Sequence, residues 1–167
     1  MSRKLTSSSG TSLQDRFDSQ GICFGCGPTN AHGLKIKSYV QGDLVVASFT
    51  PSEHHQGFEG MVNGGIIGAL FDCHMNWTAA WNLMQAAGAE EPPCTVTGNF
   101  HVHFLAPTPT KQELQIEAKI LEMTDRKASV EATLCAGGEI TAKGQGVFIA
   151  VKEGHPAFQQ WKGSPES

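Results

Sequence analysis

Residues 63–88 read NGGIIGALFDCHMNWTAAWNLMQAAG, and this stretch decides the fold. Ile67, Leu70, Phe71, Met75, Thr78 and Trp81 recur at steps of three and four residues, the period of an α-helix. Asn63 is a residue type that caps a helix N-terminus, and Gly88 is a type that closes one. Ile66, Trp77, Ala80, Leu83 and Met84 place apolar side chains on the remaining faces. The helix is therefore predicted to be enclosed on nearly all sides, by a sheet and by a second subunit. Asp72, His74, Asn76 and Asn82 interrupt the apolar run, which reads as a buried helix and not as a membrane span.

On either side of the helix the period changes to two. Upstream, Leu34-Lys35-Ile36-Lys37 alternates and Leu44 to Phe49 is apolar and β-branched, with Gln41-Gly42-Asp43 between them as a hairpin turn. Downstream of Pro92-Pro93, Phe100, Val102 and Phe104 share one strand face, and Thr97, Asn99, His101 and His103 share the other. Three further strands are marked by Leu114 to Ile120, Val130 to Leu134 and Ile140 to Ala150, joined at Thr124-Asp125-Arg126 and at Gly137-Gly138. Two strands, one long helix and four strands predict an α+β fold, an antiparallel sheet wrapped around one central helix.

At 167 residues the chain has the size of one domain. Residues 22–152 are expected to form it, with polar, flexible arms at 1–21 and 153–167. Hydrophobic residues make up 40 % and charged ones 17 %, which excludes wholesale disorder. Twelve basic against sixteen acidic residues leave a net charge of −4, and this argues against nucleic acid as a partner. Five cysteines, an odd number, do not read as a secreted disulfide framework, so a reducing cytoplasm is the expected location. Arg3, Lys4 and a serine cluster begin the chain without an apolar stretch, so no secretory signal is expected, and an organellar transit peptide stays open.

The densest chemical constellation is His54-His55-Gln56-Gly57, then Asn63-Gly64-Gly65, then Asp72, then Thr97. The text HQGFEGMVNGGIIGALFD, residues 55–72, resembles the hot-dog-fold acyl-CoA thioesterases of the phenylacetate-pathway and human thioesterase-superfamily-member type. It looks like their "HGG" turn followed by a helix with a catalytic carboxylate. Asp72 stands nine residues after the family's His position, which here is Asn63, and Thr97 matches a place where relatives carry Thr or Ser. The resemblance covers residues 33 to 151. It implies a cofactor-free thioester hydrolase acting on an acyl-CoA, assembled as a homodimer with shared active sites, with a dimer of dimers (homotetramer) as an open further step.

These residues suit that chemistry on their own terms. Gly64 and Gly65 offer backbone N–H groups at a helix start, where the macrodipole favours an anion, so they are candidates for an oxyanion hole. The same pair can instead be a packing contact. Asp72 can serve as general base or nucleophile, or as a structural hydrogen-bonding group, and Thr97 can hold the water. Asn63 replaces a His and cannot titrate near neutral pH. His55, Gln56, Gly57, Phe58 and Asn76 complete the expected substrate-binding set, and Trp77, Trp81, Phe58 and Met84 are the expected walls of an acyl pocket. Gly64 and Asp72 lie eight residues apart, about 12 Å along a helix, so one carbonyl cannot reach both in a single copy. The alternatives are a non-catalytic acyl-thioester-binding protein and a hot-dog hydratase or dehydratase.

Cys23-Phe24-Gly25-Cys26 is the other notable spacing. A C-x-x-C pair supplies half of a zinc site, which His32, His54 or His55 can complete; it can also be a redox pair or a reduced turn. No resident metal is assigned on this basis, and the pair is expected to matter for stability. His101 and His103 suit a subunit interface or coenzyme phosphates.

Overall fold

The computed structural model describes residues 10–161. The elements run α1 (Leu13–Phe17), β1 (Tyr39–Gln41), β2 (Leu44–Phe49), a 3-10 turn (Glu53–His55), β3 (Gln56–Phe58), β4 (Met61–Val62) and α2 (Gly64–Ala87). After these come β5 (Thr95–Phe104), β6 (Leu114–Met123), β7 (Lys127–Ala136), β8 (Glu139–Ala150) and α3 (Pro156–Trp161). Six strands form one antiparallel sheet in the order β1-β2-β6-β7-β8-β5, and β3 with β4 forms a separate small hairpin. The α+β architecture of one long helix against an antiparallel sheet is as predicted.

α2 forms where its sequence starts and stops it. The Asn63 side chain accepts from the Gly65 N–H, and Gly88 ends the helix in the left-handed region at φ 61°. Phe71 and Met75 are fully buried, and sheet partners such as Ile116, Val130 and Leu134 are equally dry. Gly144 of β8 makes room for this packing, because a Cβ there would lie 3.0 Å from the Phe71 ring. Truncating Phe71 to Ala would leave a cavity costing about 3–5 kcal/mol.

Three expectations are corrected. The first strand begins at Tyr39, and Leu34–Lys37 forms no ladder although Leu34 and Ile36 are buried. Its alternation reports burial alone, and Lys35 at φ 52° breaks the extended conformation. The arms are not wholly loose. Ser12 caps α1, Leu13 and Gln14 are buried, and Gln14 holds the Ser38 N–H through its side-chain oxygen at 2.8 Å. At the other end Trp161 of α3 packs on Trp77 with ring centroids 5.6 Å apart. Both helices are too short for a period to show in sequence. The parts of the two arms at 1–9 and 162–167, with Arg3, Lys4 and the serines, lie outside the described residues.

These docked ends also revise what wraps α2. Phe17 packs against Trp81, Cys23 lies against Cys73, and the Trp77 indole donates to the Cys26 sulfur at 3.4 Å. The chain's own N-terminal segment and α3 thus cover much of the helix surface expected to need a second subunit. Both ends of the helix stay open: Gly64 and Gly65 are exposed beside the edge strand β5, and Gln85, Ala86 and Ala87 are exposed in the last turn.

Candidate active site

Helix α2 and edge strand β5 build the site between them. Asp72, Gly68 and Gly64 repeat every four residues, so they form one stripe along α2. β5 runs along that stripe: Thr97 meets Asp72, the Phe100 ring lies near Gly68, and the Phe104 ring lies over Gly64. Strict alternation would put Thr97 and Phe100 on opposite faces, as expected from the sequence. The ladder between β5 and β8 shifts register between Thr97 and Asn99, so Gly98 is a bulge, and the bulge turns Thr97 onto the helix side. A side chain at Gly98 would press on the Val147 carbonyl and on Ile149, each 3.2 Å from its Cβ.

The Thr97 hydroxyl donates to Asp72 Oδ1 at 2.6 Å, a short charge-assisted contact. Burial raises the Asp72 pKa above the ordinary carboxylate value, the Thr97 hydrogen bond pulls it partly back, and the nearby Cys23 adds to the rise. With its proton committed to Asp72, Thr97 keeps lone pairs free to accept from a water. Asp72 Oδ2 remains to accept a proton.

Asp72 opens onto a cavity of about 850 Å3 lined also by Asp18, Cys23, Asn76, Trp77, Thr95 and Trp161. Asn76 is held at both ends by Thr95: its amide donates to the Thr95 carbonyl at 3.2 Å, and its oxygen accepts from the Thr95 hydroxyl. Of the expected acyl walls, Trp77 lines this cavity. Trp81 packs on Phe17 instead, Met84 is buried, and Phe58 projects from the small hairpin 80 % exposed.

At the helix start the two glycine amides differ. Asn63 Oδ1 accepts from the Gly65 N–H at 2.8 Å, so that amide already serves the cap, which corrects its expected place in an oxyanion hole. The Gly64 N–H has no partner among the described residues. The loop residues before the helix have local duties. His55 Nδ1 accepts from the Ser52 N–H at 3.0 Å and its ring packs at a tilt against Phe49, while Gln56 accepts from the Gly60 N–H at 3.1 Å. Accepting at Nδ1 makes His55 the neutral Nε2–H tautomer, and burial followed by the His54 charge lowers its pKa. Gly57 lies against Asn63, where a Cβ would stand 3.3 Å from the Asn63 Cα.

Two features were missed by the sequence reading. His74 is fully buried, bonded through Nδ1 to the Ser38 hydroxyl at 2.8 Å and through Nε2 to the Val45 carbonyl at 2.9 Å, and burial lowers its pKa to about 4. Cys73 joins Cys23 and Cys26, with the three sulfurs all within 4.8 Å of one another, in the place where His32, His54 or His55 was expected. The Cys23 thiol is pulled down because it accepts from the Cys26 and Cys73 thiols and from the backbone N–H groups of Cys26 and Gly25. Cys73 is pushed up, chiefly by giving its proton to Cys23.

Comparison with known proteins places this geometry. The family model described as "Thioesterase superfamily" matches residues 59–143. A thioesterase superfamily protein of Shewanella loihica PV-4 is 31 % identical, with 75 % of this chain and 98 % of that one covered and a TM-score of 0.61. The E. coli PaaI protein from the phenylacetic acid degradation operon is 13 % identical over 71 % of this chain and 81 % of its own, TM-score 0.60. Zebra fish thioesterase superfamily member 2 is 16 % identical over 73 % and 89 %, TM-score 0.58. At these lower identities the last two show the fold. No curated protein matches the sequence.

Proposed function

This chain belongs to the thioesterase superfamily and has its hot-dog fold, and from that membership and the Asp72 geometry we propose that it hydrolyses an acyl-CoA thioester to a free acid and coenzyme A. The observation that carries the reading is the Thr97–Asp72 hydrogen bond at the wall of a cavity. In the proposed step Asp72 Oδ2 takes a proton from a water that Thr97 helps to hold, and the water oxygen adds to the thioester carbonyl. Charge on the carbonyl oxygen is met by the Gly64 amide at the helix N-terminus. The C–S bond then breaks, and the proton on Asp72 leaves with the CoA sulfur.

Gly64 and Asp72 stand about 12 Å apart on one helix, with Gly68 and the Phe100 ring between them. The two groups act on one carbonyl when Gly64 comes from a second copy, so the proposed active unit is a homodimer. β5 supports this as the contact, since it is a ten-residue edge strand carrying Phe100 and Phe104 at 39 % and 57 % exposure. Among the described residues no helix is long and apolar enough to cross a membrane, and the five cysteines are free, which supports a reducing compartment as the location.

Thiol release from a panel of acyl-CoAs tests the reading. Asp72→Asn keeps the shape and loses the base, so kcat is expected to fall by about 10²–10⁴-fold with little change in KM. A variant within twofold of wild type, or a wild-type protein that binds acyl-CoA with no thiol release, would favour a non-catalytic acyl-thioester-binding protein.

A further inference from the structure

Cys23, Cys26 and Cys73 play no part in the proposed hydrolysis, yet the chain is shaped to bring them together. The Gly27 N–H donates to the Cys23 carbonyl at 2.8 Å and closes a tight knuckle around the first two. That turn admits no side chain at position 27, where a Cβ would lie 2.4 Å from the Cys23 nitrogen. Position 25 is equally constrained, because a Cβ there would meet the Cys73 sulfur at 2.3 Å. The two glycines of Cys-Phe-Gly-Cys-Gly are thus what lets a helix thiol reach a loop pair fifty positions away. Further bonds fix the knuckle, from the Leu34 N–H to the Phe24 carbonyl at 2.8 Å and from the Ile36 N–H to the Gly25 carbonyl at 3.1 Å.

From this arrangement we propose that Cys23, Cys26 and Cys73 bind one zinc ion as three thiolates, with the fourth position turned to the cavity and filled by water. Zinc–thiolate bonds of about 2.3 Å in a tetrahedron put their sulfurs about 3.8 Å apart. Cys23 and Cys73 stand 3.7 Å apart, and Cys26 lies within 4.8 Å of both, so closing the set needs only rotamer adjustment. Outer groups of the kind that orient ligating sulfurs are present. The Trp77 indole donates to the Cys26 sulfur, and the backbone N–H groups of Gly25 and Cys26 point at the Cys23 sulfur. Cys23 is exposed and gives an entry path, while Cys26 and Cys73 are buried. Binding releases the remaining thiol protons to solvent.

A physical need exists for such a tie. Residues 18–38 contain no helix or strand, a long connection for a compact domain, and they cover one side of α2. Zinc would staple that connection to the middle of the helix. That tie is independent of whether Asp72 hydrolyses anything.

The test uses the full chain, stripped of metal under reducing conditions and reloaded with Zn2+ or Co2+ alone. About one ion per chain is expected after gel filtration, with thiolate-to-cobalt charge-transfer absorption and a zinc-dependent rise in Tm of at least about 5 °C. Cys23→Ser, at an exposed position, is expected to hold less than about a tenth of an ion and to lose the Tm rise, and Cys135→Ser is expected to keep both. Wild-type protein that takes up no metal overturns the proposal, as does a Cys23→Ser variant that still does. Formation of a Cys23 disulfide under mild oxidant at the same rate with and without Zn2+ also overturns it, and would make the cluster a redox pair.

Discussion

Asp72 stands under opposed influences, burial raising its pKa and the Thr97 hydroxyl lowering it. A general base must be ionised, so the acid limb of a pH–rate profile reports this balance. Thr97→Val removes the hydrogen bond that favours the carboxylate and leaves the burial in place. The limb in kcat/KM is therefore expected to move to higher pH, with the larger loss of rate on the acid side. An unmoved limb in an active variant would separate Thr97 from the titrating group. Asp72 was conspicuous in the sequence as a carboxylate inside an apolar helix, whereas Thr97 stood out only through the family resemblance. The engagement of the Gly65 amide was not read, although its signal was present: an Asn N-cap takes the N–H of the second or third helical residue, and a capped amide is lost to an oxyanion.

The same contrast holds for whole elements. α2 and the four long strands after it were readable because each carries several turns of its own period. The bulge at Gly98 was not, since one glycine in an alternating run does not say which way the phase slips; only the fixed position of Asp72 across the gap decides that Thr97 turns inward. α1 is positioned through a buried chain in which the Gln14 amide donates to Ser38 at 3.0 Å, and Ser38 in turn is bonded to His74 on α2. His74 has an ordinary pKa of 6.5 and a folded one of about 4. Below about pH 6.5 the unfolded chain takes up a proton that the folded chain refuses, so stability falls as pH drops from 6.5 towards 4 and this contribution levels off beneath that. The size is on the order of 3 kcal/mol across the window. Asp72 works with the opposite sign, because its raised pKa favours proton uptake by the folded state. The measurement that isolates His74 is therefore the difference between wild type and His74→Gln in urea midpoints from pH 7 to pH 4. The wild type is expected to lose more stability on acidification, and parallel curves would show that the imidazole does not titrate on unfolding.

At the level of the whole molecule, the strand–helix–strand order was legible and the covering of α2 was not, because contacts such as Trp77 with Trp161 join segments far apart in sequence and carry no period. The first turn of the helix, Gly64 and Gly65, stays exposed next to the exposed Phe104. If each active site pairs Asp72 of one copy with the Gly64 amide of another, two inactive chains can repair each other. Asp72→Asn removes the base from one. Gly64→Pro removes the amide hydrogen from the other with little harm to the helix, since Pro is well accepted at the first helical position and Asn63 already has the extended backbone that must precede it. Each variant alone is expected to be inactive. Coexpressed in equal amounts, half of the dimers are mixed, and each mixed dimer holds one site with both groups intact and one with neither. Thiol release is then expected at about a quarter of the wild-type rate per chain. Sites built within a single copy would leave the mixture as inactive as its parents, and that result would end the shared-site account while leaving Asp72 itself in place as the base.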